Sequence, residues 1–236
     1  MAGHQPNYLP WLGFFDKLSH CDVFLVEDNV QFEPQGFQNR TRIKTFEGVK
    51  WLTVPVKHQT KFSPINEVII ANSSSQDWAR RHWQTLKGNY SRAPYWGRFE
   101  GFFEQAFCQD WTKLIDLNMY FIRGLMGFFH IKKPLIFASS LHVSGKKNEL
   151  VLEQCKTLNA TTLLSGIGAR SYLNVERFQK EGISIAFQNF CHPKYSQLGN
   201  DFVPGLSAVD YLFWTGGKEK IFESCRSEEY GQQFSP

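Results

Sequence analysis

The opening segment gathers several exchangeable groups around two prolines: His4-Gln5-Pro6-Asn7-Tyr8-Leu9-Pro10-Trp11, followed by Lys17. Proline fixes φ and holds the residue before it in extended backbone, so Pro6 and Pro10 frame a rigid turn that presents the polar side chains between them. A neutral imidazole there can take or give a proton near pH 7, and Lys17 can meet an anion. A corner in which His4 merely ties backbone is the structural alternative. The density of polar groups in this turn favours a working site.

Three later stretches carry chemistry of the same kind. In the first, Asp28 could orient an imidazole or a ligand hydroxyl, with Gln31 and Asn39 beside it, and Arg40 or Arg42 could grip a phosphate or carboxylate in a bidentate fork. A solvated loop with local ion pairs fits those residues equally well. In the second, Leu164-Ser165-Gly166-Ile167-Gly168-Ala169-Arg170-Ser171-Tyr172 holds a glycine turn between a strand and a helix, and its N–H groups, Ser165 and Arg170 suit an anion. It matches neither the dinucleotide fingerprint nor a Walker loop, so a tight turn without a ligand remains open. In the third, His192 follows the last predicted strand and is trailed by Tyr195 and Gln197, with Ser207 and Asp210 further on. Ser207 reads most simply as a helix N-cap with Asp210 at its third position. Cys191 and His192 are neighbours on extended chain and point apart, which discounts a thiol nucleophile served by that histidine.

The elements that must position these groups follow from periodicity. A stub of strand precedes Pro6, a short helix covers 11–19, and a buried strand covers 22–27. Segments 41–45 and 50–56 flank Phe46-Glu47-Gly48 as a hairpin, and 65–71 reads as a third strand. Ser73-Ser74-Ser75 offers a cap for a helix over 76–90, and further helices are expected over 97–107 and 112–129. After Pro134 the pattern alternates: strand 135–139, helix 147–158, strand 161–165, helix 170–180, strand 183–187. Strands separated by helices imply parallel pairing. The expected fold is therefore α/β, a Rossmann-like, mostly parallel sheet flanked by helices, with an inserted β-hairpin and a helical middle section. Residues 1–225 are expected to form a single domain and 226–236 a polar tail.

In a parallel sheet, ligands collect outside the carboxyl ends of the strands. The expectation is that His4, the Ser165-Gly166 turn and His192 line one pocket along that rim, with Asp28 or Asp210 orienting an imidazole.

Composition bounds the partners. The 26 Lys and Arg are scattered among 22 acids for a net charge of +4, which suits an anionic small molecule and lacks the basic stripe of a nucleic-acid reader. Five cysteines, odd in number and without a C-x-x-C pair, point to reduced thiols in a cytoplasmic protein, with neither a disulfide framework nor a zinc site. The most apolar stretch, 117–137, is broken by Arg123, His130, Lys132 and Lys133, so neither membrane insertion nor export is expected.

Ordered over nearly the whole length, these residues resemble the WbqC-like protein family. The resemblance rests on 4–11 with Gly13 and Lys17, on Asp28 with Val30-Gln31-Phe32, on Asn39-Arg40, and on Trp51-Leu52-Thr53-Val54-Pro55-Val56. It continues through Leu164-Ser165-Gly166, residues 192–197 and residues 202–213, with Trp214 standing where the family often has Asn. The resemblance implies a bacterial enzyme of surface-polysaccharide and O-antigen biosynthesis, carrying out acyl or aminoacyl transfer to a nucleotide-activated amino sugar. In that reading His4, Asp28, His192 and Asp210 are the candidate catalytic residues. Gln5, Asn7, Tyr8, Trp11, Lys17, Gln31, Asn39, Arg40, Ser165, Gly166, Arg170, Tyr195 and Gln197 are the candidate substrate contacts. A sugar nucleotide and an acyl or aminoacyl carrier protein are the expected partners, and the chemistry calls for no metal or redox cofactor. A nucleotidyl transferase-like enzyme and a non-catalytic scaffold for polysaccharide assembly are the alternatives. The absence of an H-x-G-H motif counts against the former.

Overall fold

The computed structural model describes residues 1–60, 62–72, 77–217 and Phe222. Its first element is a three-residue strand, β1 (Ala2–His4), which pairs in parallel with β2 (Phe24–Val26). The helix between them, α1 (Leu12–Ser19), starts two residues after Pro10 and is buried from Leu12 through Leu18. A helix covered all round marks an interior position, and even its Asp16 and Lys17 are enclosed.

Three more strands, β5 (Leu135–Phe137), β6 (Thr162–Ser165) and β7 (Ser184–Phe187), complete a five-stranded parallel sheet of order β5-β2-β1-β6-β7. Taken in chain order this is 3-2-1-4-5, the Rossmann arrangement. The chain steps outward from β1 through β2 to β5, then crosses back to lay β6 on the other side of β1. The order therefore reverses between β1 and β6.

Successive residues of the sheet face opposite layers. Ala2, Phe24, Val26 and Leu164 join a large core with α1, α2 (Trp78–Tyr90), α3 (Trp96–Cys108), α4 (Leu114–Phe128) and α7 (Ala208–Thr215). Leu163 and Ile185 join a smaller core with Leu152 and Cys155 of α5 (Asn148–Thr157) and Phe178 of α6 (Val175–Lys180). Helices on both faces account for strands that read as near-continuous apolar runs.

Between β2 and β5 lies the hairpin, β3 (Arg40–Thr45) and β4 (Gly48–Thr53), closed by Phe46-Glu47 with Gly48 at φ +110°. It forms a separate two-stranded sheet, and the expected third strand over 65–71 does not exist. Pro64 instead leads into a 3-10 turn, Ile65–Glu67, and the following backbone bonds to separate loops: Lys57 N–H donates to the Ile69 carbonyl, Ile70 N–H to the Thr112 carbonyl. The expected helix over 170–180 is also divided. A 3-10 turn, Ile167–Ser171, precedes α6, because Asn174 caps α6 by accepting from Arg177 N–H while Asn148 bridges the Tyr172 carbonyl and Asn174 N–H. The N-cap of α2 is Asp77, whose carboxylate accepts from Arg80 N–H at 2.9 Å. The serines 73–75 and the tail 226–236 lie outside the described residues.

Candidate functional site

At the point where the strand order reverses, a cleft of about 330 Å³ opens over the carboxyl ends of β1 and β6. This is where a doubly wound sheet leaves room for a ligand, because the crossovers depart to opposite sides. His4 and Gln5 line it from β1, Ser165 and Gly166 from β6, Lys17 from α1, and Glu27 from the residue after β2.

His4 ends β1 half-buried, with its ring edge-on to Phe14 at 5.0 Å. Its Nδ1 lies 2.8 Å from the Gln5 carbonyl, which can only accept, so Nδ1 carries the proton and Nε2 the lone pair. Burial, reinforced by the charge of Lys17, lowers the imidazole pKa to about 3. The ring is thus neutral at physiological pH, with Nε2 open as a proton acceptor.

Lys17 and Glu27 flank it. Burial lowers the Lys17 amine below its ordinary value, with Glu27 opposing the shift, and burial raises the Glu27 carboxyl, with Lys17 opposing it. Two glycines make room for this pair. A Cβ on Gly3 would stand 2.7 Å from Glu27 Oε1, and one on Gly166 would stand 3.5 Å from Lys17 Nζ. The amine therefore lies over the glycine turn. Tyr172, from the loop before α6, closes the far side, and Glu27 helps burial raise its phenol. The cleft thus combines a neutral imidazole, a buried amine, a half-buried carboxyl and a bare glycine backbone.

The other sequence-derived candidates lie elsewhere. His192 does not line this cleft, which corrects the expectation of a shared pocket. After β7 the Gln188 amide is pinned to the Gly13 carbonyl and Asp16, and the chain then passes along Trp11, whose ring meets Phe190 at 5.4 Å. His192 ends up among Phe190, Tyr195 and Phe202, donating from Nδ1 to the Pro193 carbonyl, with Nε2 buried and unpartnered. Asp28 does not orient His4 either. Its carboxylate accepts from Ser139 N–H and Oγ and from Asn66, and so ties the end of β2 to the end of β5. Asp210 accepts from Tyr90 and Tyr195 hydroxyls at 2.7 and 2.8 Å, and burial raises its carboxyl. Ser207 caps α7 as expected, accepting from Val209 N–H, but Asp210 does not complete a capping box.

Arg40 stacks on Trp51 at 4.2 Å and Arg170 on Phe187 at 4.9 Å, neither in the cleft. Gln31 is exposed, and Asn39 and Asn7 are buried, with Asn39 donating to the Val54 carbonyl. Tyr8 is a core residue whose hydroxyl donates to His82 Nδ1 at 2.9 Å, the His82 N–H being taken by the Thr53 carbonyl. Trp11 lies on Gly13, where a Cβ would come within 2.3 Å of the indole. Gln197 staples its own loop through both polar atoms to Val203.

Glu27 and Gly3 escaped the sequence reading, and Tyr172 stood at the end of the glycine-turn segment without a role of its own. The signal for Glu27 was its place as the first residue beyond a parallel strand, the same place that marked Gln5 and Gly166. Among the described residues no group of three His, Cys, Asp or Glu gathers as metal ligands, and no helix is long and apolar enough to cross a membrane.

Fold and site together define a three-layer α/β protein with a polar cleft at the switch point of a Rossmann-ordered sheet. The WbqC-like protein family matches residues 5–221, and the chain belongs to that family. It is similar to uncharacterized protein Rv1507c of Mycobacterium tuberculosis, 31% identical over 217 residues that cover 91% of this chain and 93% of the relative. No solved structure matches.

Proposed function

We propose that the protein is a transferase of bacterial surface-polysaccharide biosynthesis that acylates or aminoacylates the amino group of a nucleotide-activated amino sugar in the β1/β6 cleft. The observation that carries this reading is His4: a neutral imidazole with an open Nε2, next to a buried amine and a half-buried carboxyl, at the carboxyl rim of the sheet. The sugar nitrogen adds to the acyl carbonyl, and the resulting tetrahedral adduct carries an acidic N–H⁺. Nε2 holds that proton only transiently and passes it to the departing group as the oxyanion re-forms the carbonyl and the bond to that group breaks; with a pKa of about 3 the imidazolium is a strong proton donor for this second half. Lys17 Nζ, above Gly166, supplies positive charge for the oxyanion or for a phosphate, and Glu27 accepts a hydrogen bond from the sugar.

A thermal-shift series with UDP-, dTDP- and GDP-linked amino sugars tests binding, and stabilisation of several degrees by one of them is expected. His4→Gln should keep that shift and lose about 10²- to 10⁴-fold in transfer. Normal glycan made with His4→Gln would remove the proton-transfer role. A chain stabilised by none of the nucleotides would fit a scaffold.

A further inference from the structure

A second hollow, of about 720 Å³, opens where the ends of β2 and β5 meet α3 and α4. It shares the end of β2 with the His4 cleft: Glu27 lines one and Asp28, the next residue, lines the other. Its wall is apolar, formed by Phe102, Trp111, Ile115, Met119, Tyr120 and Phe137. The Phe102 ring lies on the bare backbone of Gly124, where a Cβ would come within 2.1 Å of it, and stacks on Tyr120 with centroids 5.0 Å apart. The polar floor is closed, because Asp28 is already satisfied by Ser139 and Asn66. The interior is mainly apolar contact surface, with the Asp28 carboxylate buried at its floor.

The mouth is different. Lys113 and Arg123 stand there exposed with one acid, Asp116, and neither cation forms an ion pair among the described residues. An apolar interior under a net positive rim is complementary to an amphiphile that puts a hydrocarbon tail inside and an anionic head at the entrance. We propose that this hollow binds the acyl tail of an activated acyl donor, whose anionic carrier arm is held by Lys113 and Arg123. Its assignment to a donor rests on the transfer reading above, in which two substrates need adjoining sites.

Calorimetric titration of the full chain with coenzyme A and its acetyl, butyryl and octanoyl thioesters tests this. Affinity should climb about fourfold per methylene along the series, the value of burying one CH₂. Lys113→Glu with Arg123→Glu, both at the surface, should weaken every thioester at least tenfold and leave that slope intact. Ile115→Trp, which fills the hollow, should abolish the slope, provided its melting temperature shows it folded. Octanoate and phosphatidylglycerol vesicles are the comparison arms. Octanoate binding as tightly as octanoyl-coenzyme A, or capture by vesicles, would assign the hollow to a fatty acid or a lipid and overturn the donor. Affinity independent of chain length, absence of binding, or indifference to the charge reversals would also overturn it. The amino-sugar shift is measured on the same samples, so its retention while the thioesters fail sinks only the acyl site, and the reverse sinks only the amino-sugar reading.

Discussion

His4 and His82 hold their imidazoles neutral by burial, at pKa values of about 3 and about 4 against 6.5 in an unfolded chain. Both are lowered, so the unfolded chain binds more protons between those values, and stability falls as pH drops from about 6.5 through 4 toward 3. Glu27 and Asp210 are raised by burial and act in the opposite sense above the normal carboxylate pKa, so they offset part of the loss. Urea midpoints at pH 7, 5 and 4 should decline, and His4→Gln should flatten that decline; a slope equal to the wild type would contradict the burial argument. Asp28 makes a different forecast. Asp28→Asn weakens the hold on Ser139 and should cost about 1–3 kcal/mol in stability, read as a lower urea midpoint at pH 7; an unchanged midpoint would mean the tie between the ends of β2 and β5 is dispensable. His4 and the Ser165-Gly166 turn were legible because prolines and a glycine punctuate the strand ends that carry them, and Lys17 because its helix follows the proline turn directly. His192, Asp28, Asp210, Arg40 and Arg170 were misplaced because each side chain found a nearer partner, a tyrosine hydroxyl, a backbone amide or an aromatic face, and partner choice is tertiary.

Among the elements, the start of α1 is fixed to the segment after β7 by a contact with almost no slack. Gly13 has no room for a methyl under the Trp11 indole, so Gly13→Ala must displace that ring from Phe190 and should destabilise by about 1–3 kcal/mol. Chemical denaturation with a coincident change in tryptophan fluorescence would check it; an unchanged midpoint would mean the indole moves freely. The strands of the sheet were readable as short apolar runs bounded by helices, and the hairpin as two extended runs around a glycine turn. The segments read wrongly share a cause. At 65–71 and at 172–174 the backbone is satisfied by distant loops and by Asn148, and no local pattern announces such bonds.

For the whole molecule, alternation of strand and helix implied parallel pairing but could not say on which side of β1 the chain would place β6. That choice creates the switch point and so the cleft. It also sets the His4 side and the Tyr172 side of the cleft in different layers, the first backed by the large core and the second by the small core around Phe178. Phe178→Ala should cost about 3–5 kcal/mol and loosen β6, β7, α5 and α6 ahead of the rest, which amide hydrogen exchange would resolve; uniform loss of protection would contradict a separable small layer. A compound resting across β1 and β6 touches both layers at once. Occupancy would then act as a cross-link in the folding equilibrium: amides of α6, remote from the compound itself, should slow their exchange on saturation, and the two layers should melt as one cooperative unit.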